Sequence, residues 1–513
     1  MNAFADTASA FDLSQRTTSS LGLGFLALWM FLAYWRSETR KLNHIPTVGT
    51  AFPVVSYFGT IKYLFDAKTI VDEGIRKWPG RMFKISEMVQ WRVIVTDPRV
   101  AEEVIRASES VMSGHIANDE FIQTPFTLGV EVTDDPYHVP LLRNELRRAL
   151  DVNVPAIVDE IDAAFTELAT PTKGKHHSRD WTGVKLKDAI MKVVCRATNR
   201  VFVELPLCRN PEWVNLNVQF TVDVLTVSTA LRATPAFLRP LVNRLISKIP
   251  KDMEIALRHL RPMFEARRRE KAEKSEQASP SSNLITWMLD IAQGPETADE
   301  RLAMRILATN FGAIHTTTMT FMHALYDLAA NPKFADVLRE EVDEVLYREG
   351  WTKTAMDQME RVDSFIRESQ RLSPLSNVGS QRILQQEYTF CDGTTLPAGT
   401  AIAVCIHTSH FSDANYEDAL TFDPLRFVKL KSTAPQRKWD VISTAPDFLS
   451  FGHGKHACPG RFFAAAELKL MLAYVVAKYD VKLSEEGVRP KDFWIMGSCL
   501  PNQKANVLFR RRR

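Results

Sequence analysis

The chain has 513 residues, 45% hydrophobic and 24% charged, which excludes a mainly disordered polypeptide and permits a large buried core. Its 64 basic and 61 acidic side chains nearly cancel, leaving no nucleic-acid footprint, and the run Arg510 to Arg513 reads as a solvated tail. Six cysteines, Cys195, Cys208, Cys391, Cys405, Cys458 and Cys499, lie far apart without disulfide-framework or zinc-site spacing, so a reducing compartment is favoured and five of them read as small packing residues.

Residues 17–35 carry no charge and as a helix would span roughly 28 Å, near the thickness of a thin bilayer. Arg36, Arg40 and Lys41 follow this stretch, whereas Arg16 before it is accompanied by Asp6 and Asp12, which predicts a cytosolic C-terminal side. No small-residue cleavage site follows Trp35, against a signal peptide. The predicted division is a lumenal tail over 1–16, a transmembrane anchor over 17–35, a hinge over 36–54 containing Pro46 and Pro53, and one large domain over 55–513. From Val54 to Val132, runs such as RMFKISEM and WRVIVTD predict small strands mixed with short helices. From Arg143 to Arg269 the apolar spacing is helical. Arg267 to Asn283 loses apolar residues and gains Ser and Pro, which predicts a solvated loop.

Thr297 to Glu300 has the pattern of a capping box, and a helix of about thirty residues is predicted from there to Asn331-Pro332. Gly312 to Thr320, GAIHTTTMT, interrupts apolar turns with four threonines and a histidine. Glycine and threonine weaken a helix interior, so the expectation is a distorted helix carrying a polar patch, the alternative being threonines that bond back to the preceding turn. Further helices and strand-like runs, EYTFCDG, TLPAGT and AIAVCIHT, complete a fold that is mainly α with a small β portion.

The most informative stretch is FGHGKHACPG. Phe451, Gly452 and Gly454 form a tight loop, Cys458 follows, and Pro459 is placed to open the next helix. A cysteine at a helix start meets backbone N–H groups that favour a thiolate, while the glycines allow a flat ligand to approach and Phe451 covers the sulfur.

This string resembles the haem-binding loop of the cytochrome P450 family, F-G-x-G-x-R-x-C-x-G, with His456 where the family usually has a propionate-binding arginine. Glu368-Ser-Gln-Arg371 resembles the family's Glu-x-x-Arg motif, and FDPLRF resembles the loop that supplies a second arginine, here Arg426; the three are expected to form a buried structural network. Gly312 to Thr317 resembles the oxygen-side motif of the family's long central helix over the haem. Thr316 matches, but His315 stands in place of the usual carboxylate and Ala313 in place of glycine. Arg382 matches a common propionate-binding position. Arg143 resembles an arginine on an early helix, although the accompanying tryptophan is absent and His138 is offset.

The resemblance implies a cytochrome P450 fold with an N-terminal anchor and a haem-binding catalytic domain over 55–513. Its cofactor would be heme b, iron protoporphyrin IX, with Cys458 as the metal ligand. Thr316 and His315 are the expected catalytic residues, and His456, Arg382, Arg143, Phe451, Gly452 and Gly454 the expected cofactor contacts. Phe311, Ile314, Ser376 to Val378 and Met496 to Leu500 are expected near the substrate. With no dinucleotide fingerprint in the chain, electrons would come from an NADPH-cytochrome P450 reductase at the endoplasmic reticulum membrane, with Lys455 and Arg461 suited to docking. The loop and central helix are similar to fungal monooxygenases of terpenoid pathways, implying a lipophilic terpenoid substrate oxidised with O2. The same fold also hosts reductase-independent hydroperoxide isomerases or dehydratases, which typically lack the threonine retained here as Thr316, and a non-enzymatic haem sensor or lipid carrier is a third alternative.

Overall fold

The structure is a computed structural model that describes residues 40–49, 56–87, 90–169, 181–273, 283–485 and 487–512, with isolated positions 24, 28 and 29. The expected anchor over 17–35 lies almost wholly outside the described residues, and among these no helix is long and apolar enough to cross a membrane.

The core is organised by the helix Asp299–Ala330, 32 residues long. Asp299 and Glu300 in its first turn offset the N-terminal partial charge of the helix. Its N-cap is Ala298, not Thr297, whose hydroxyl instead donates to the Gly294 carbonyl within a short 3₁₀ turn. Leu302, Ile306, Phe321, Leu325 and Leu328 are buried on several of its faces, as befits a helix passing through a large interior. Helices Leu186–Phe202, Pro211–Arg232, Ile249–Glu273, Glu360–Leu372 and Arg461–Lys478 pack against it. The Ile249–Glu273 helix covers the first part of the expected solvated loop; residues 274–282 lie outside the described set, and Asn283 caps the next helix by accepting from the Thr286 N–H.

A five-stranded sheet lies to one side, in the spatial order Phe83–Glu87, Gln90–Val95, Ala401–Cys405, Val378–Leu384 and Met112–Ser113. The two runs that read as strands, RMFKISEM and WRVIVTD, form its antiparallel first pair, with Phe83 opposite Ile94. Gln90–Val95 runs parallel to Ala401–Cys405, which runs antiparallel to Val378–Leu384. That last pairing shifts register between Gly379 and Arg382, with Ser380 at φ +47°. Such a bulge bends the strand and re-aims the side chains after it, here Arg382.

A second sheet joins Thr182–Lys185, Asn506–Arg511 and Tyr479–Leu483, with the C-terminal strand in the middle. This corrects the tail reading for Arg510 to Arg512, and Arg513 lies outside the described residues. Arg510 and Arg511 are paired within the strand, and Arg512 bonds to Asp343 at 2.9 Å. Cys195, Cys208, Cys405 and Cys499 are buried as packing residues, whereas Cys391 is exposed.

Candidate active site

The loop FGHGKHACPG is held by a 2.8 Å hydrogen bond in which the Cys458 N–H donates to the Phe451 carbonyl. Gly452 and Gly454 have φ of +64° and +69°, a region costly for any residue with a Cβ. At Gly452 a Cβ would also lie 3.3 Å from the His456 carbonyl oxygen, so a side chain there would push the backbone beside the cysteine. The following helix starts at Arg461, with Gly460 as its N-cap, so Pro459 precedes the helix and does not open it. Burial pushes the Cys458 thiol up, and the backbone N–H groups of Gly460 and Arg461, with the Arg461 charge, offset part of this. A metal cation at the sulfur would tip the balance to thiolate.

Cys458 borders a cavity of about 480 Å³. Val139, Leu142, Leu146, Phe202, Phe463 and Leu468 give it apolar walls, and Phe451, Gly452, His456 and Gly460 complete the side carrying the cysteine. Another wall is the central helix at Gly312, Ala313, Thr316, Thr317 and Thr320. This helix is continuous rather than distorted. The Thr316 hydroxyl donates to the Gly312 carbonyl at 2.8 Å and that of Thr320 to the Thr316 carbonyl at 2.9 Å, so the threonines bond back to the preceding turn while still bordering the cavity.

His315 is turned elsewhere. Its Nε2 lies 3.0 Å from the Val218 carbonyl oxygen, on the helix Pro211–Arg232, and burial lowers its pKa, so the neutral ring donates across a helix–helix contact. It does not border the cavity, where the relay role expected for it would require it to be. Arg143 is exposed and lies near Arg461 and Arg147, also away from the cavity. Phe311, Ile314, Ser376 to Val378 and Met496 to Leu500 are not in the lining either. Ile314 is core, and the Cys499 N–H donates to the carbonyl of Leu375, so that segment backs a lining residue.

Arg382 is 3% exposed. Its Nη1 donates to the Gln381 carbonyl at 2.8 Å, Nε and Nη2 have no partner among the described residues, and the side chain is not in the cavity lining. His456 adjoins it: burial first, then the Arg382 charge, lowers the histidine pKa, and its Nε2 lies 3.2 Å from Glu109 Oε1.

A family model described as cytochrome P450 matches residues 46–509. Cytochrome P450 monooxygenase 151 of Postia placenta is 36% identical over 94% of this chain and 96% of its own length. Cytochrome P450 monooxygenase 110 of the same organism is 37% identical, over 96% and 97%. Cytochrome P450 monooxygenase olcJ of Penicillium canescens is 33% identical, over 86% and 83%. The chain belongs to the cytochrome P450 family.

The P450 cofactor is a haem-thiolate iron, and the residues present fit such a group. A free cysteine borders an apolar cavity, positive-φ glycines keep its loop bare, and beside His456 the buried Arg382 has two nitrogens without a partner among the described residues. The Glu368 network of this P450 is, by contrast, closed. Arg371 Nε and Nη2 each donate to a Glu368 oxygen at 2.8 Å, and Arg426 Nε donates to Glu368 Oε1 at 3.0 Å. The remaining donors of Arg371 go to the carbonyls of His410 and Ala419, and those of Arg426 to the carbonyls of Glu417, Asp418 and Thr421. His410 joins the network to the cysteine loop: its Nε2 accepts from the Leu449 N–H at 3.0 Å.

Among the lining residues, Gln370, Ser373 and His138 were not nominated from the sequence as facing the cavity. Gln370 and Ser373 flank Arg371, and their helix phase relative to Glu368 was a usable signal. His138 was visible only as an offset neighbour of Arg143, because its partner Arg305 comes from a distant helix. Arg461 is folded back, donating to the Cys458 carbonyl at 3.0 Å and stacking on Phe462, which leaves Lys455 as the exposed cation of the pair expected to dock a partner.

Proposed function

We propose that this P450 is a monooxygenase that uses O2 and electrons from an NADPH-cytochrome P450 reductase to hydroxylate or otherwise oxidise a lipophilic, terpenoid-class substrate in fungal secondary metabolism, with heme b held by Cys458. The observation that carries this reading is one apolar cavity bordered by both Cys458 and the threonines of the central helix. Haem iron ligated by a thiolate supplies O–O cleavage and insertion of one oxygen atom into an unactivated bond.

The chain's own residues prepare that chemistry. Phe451 borders the cavity beside Cys458 and excludes water from the sulfur, while Gly452 and Gly454 let the backbone come close. Arg382 and His456 hold the cofactor carboxylates. Thr316 spends its proton on the Gly312 carbonyl, so its oxygen faces the cavity as an acceptor that can hold a water and pass a proton. Leu142, Leu146, Phe202 and Leu468 select for an apolar substrate. Exposed Phe65, Phe237 and Leu245, each at least 74% accessible, support delivery of that substrate from the endoplasmic reticulum membrane.

The test is coexpression with an NADPH-cytochrome P450 reductase and a mass-spectrometric screen of terpenoid skeletons. Expected results are the red-shifted ferrous–CO band of thiolate-ligated haem, oxygenated product that requires NADPH, and loss of both in Cys458→Ala. A normal band in that variant removes Cys458 as ligand. Turnover of hydroperoxides without reductase, and of nothing with it, moves the enzyme to the isomerase or dehydratase class.

A further inference from the structure

The helices Pro211–Arg232 and Ile249–Glu273 pack on each other as well as on the central helix. Each brings one aspartate to their contact, Asp223 at 6% exposed and Asp252 at 7%. The two carboxyl groups are within hydrogen-bonding reach of one another, and the Oδ2 atom of each is buried with no donor to accept from among the described residues. Asp223 Oδ1 is better provided for: it accepts from Gln219 Nε2 at 3.0 Å, and Lys248 Nζ lies 3.8 Å away. A carboxylate can only accept, so two facing carboxyls form a hydrogen bond when one of them is protonated and repel when neither is. Burial, followed by the Asp223 charge, pushes Asp252 up to about 6, with Lys248 and Lys251 acting in the opposite sense.

The charges around the pair do little to replace that proton. Lys248 and Lys251 both point to solvent, which weakens their hold on a buried carboxylate. On the central helix Asp299 and Glu300 pair with Arg261, Arg301 with Glu131, and Arg305 with Glu296. On the two helices themselves Glu212 takes Arg258 and His259, and Arg232 goes to Glu87. Asp119, from the helix Gly114–Ile122, accepts from Thr124, and Arg239, from the helix Arg239–Ile246, donates to the Thr234 carbonyl.

We propose that Asp223 and Asp252 share one proton as a pH-sensitive clasp: the proton ties the two helices together in acid, and its loss leaves facing carboxylates that loosen them. An unfolded aspartate titrates near about 3.9, so the folded pair holds an extra proton from there up to about 6. The stability this confers is fully present below the lower value and lost as pH rises through the higher. The clasp stands at the root of the connection between the helices, where Phe237, Leu241 and Leu245 are exposed, so its release frees both ends of an apolar surface segment. It also reaches the central helix, because Val218, on the same helix as Asp223, accepts the His315 bond.

The experiment is hydrogen–deuterium exchange read by mass spectrometry on the purified full-length holoenzyme between pH 5 and pH 7.5, each rate divided by its intrinsic rate at that pH. Peptides spanning 219–226 and 249–256 should exchange about tenfold faster at the upper pH, a factor of ten being what one unit of raised pKa supplies, while those of Arg461–Lys478 stay unchanged. Asp252→Asn and Asp223→Asn keep the shape and carry an N–H donor at every pH, so in both the two segments should stay protected throughout. No pH response in the wild type, or slower exchange at pH 7.5, overturns the proposal. So does a wild-type response in either Asn variant, or loss of protection at both pH values, which makes the contact one of packing alone. Should neither Asn variant accumulate, Lys248→Glu at its exposed position decides: the transition should move to higher pH, and one that stays or moves lower overturns the clasp.

Discussion

Two arginines on neighbouring elements, Arg371 and Arg382, are both almost fully buried and are treated by the protein in opposite ways. The first has each nitrogen on a Glu368 oxygen or a backbone carbonyl, and its partner Arg426 is likewise provided for. The second has two nitrogens with nothing to donate to. An incomplete buried charge is costly, yet Arg367 also has Nε and Nη2 without a partner among the described residues while it stacks on Phe448, so the contrast bears on ligand binding only together with the place of Arg382 beside His456. Glu368, Arg371 and Arg426 form a satisfied network joined through His410 to the cysteine loop, and Arg382 keeps the anion-binding role proposed for it.

The sharpest attempt to break this contrast is Arg371→Met. Removing one partner leaves Glu368 buried and uncompensated, at a cost of about 3–5 kcal/mol, so the variant should fail to accumulate as holoprotein. A melting temperature within a few degrees of wild type would mean that the network is not the support described. Arg382→Leu should do the reverse. Haem transfer to apomyoglobin should speed up about tenfold, while the haem-free chain resists denaturant as well as wild type or better, because a buried unpaired charge has gone. Destabilisation of the haem-free chain would place Arg382 with the scaffold.

Between these extremes stands Glu467, fully buried with only the Thr198 hydroxyl as partner, and its carboxyl is pushed up to about 8 by burial. Its unfolded value is about 4.3, so the folded state holds an extra proton between those limits and stability falls as pH rises through that window. Glu467→Gln should flatten this decline, gaining most over wild type at and above about pH 8 and little near pH 4, read from melting temperatures at fixed scan rate. Parallel profiles would show that the carboxyl is ionised in the fold. The smallest effect is expected at His315. Loss of its bond to the Val218 carbonyl in His315→Leu should cost about 1 kcal/mol and leave product formed per NADPH unchanged. Increased peroxide leakage would restore the relay role that its position does not support.

Much of this arrangement was legible in the sequence because it is local. The FGHGKHACPG loop, the Glu368 and Arg371 spacing and the two N-terminal strands are encoded within a few residues, where turn chemistry, helix phase and alternation act directly. What was misread depends on distant partners. Thr297 matched a capping pattern, yet the 3₁₀ turn before it claimed its hydroxyl. His315 occupied a position with a catalytic precedent, but the neighbouring helix offered a carbonyl on the other side. Four consecutive arginines looked like a tail because composition does not reveal that Arg510 and Arg511 lie opposite Asp480 and Tyr479. His138 was visible only as an offset neighbour of Arg143, since the arginine bonded to it is 167 positions away.

The same pairing bears on the order of events as the chain is made. Thr182–Lys185 leads straight into the helix Leu186–Phe202, which helps wall the cavity through Phe202, yet among the described residues its only strand neighbour is Asn506–Arg511. A ribosome working from the N-terminus therefore delivers that partner after nearly everything else in the domain. Until it arrives, the first strand has no ladder to join among the described residues. A deletion starting at Asn506 would unzip two strands at once instead of fraying an end, and a fusion placed directly after Arg511 would load the centre of a sheet, not a free terminus.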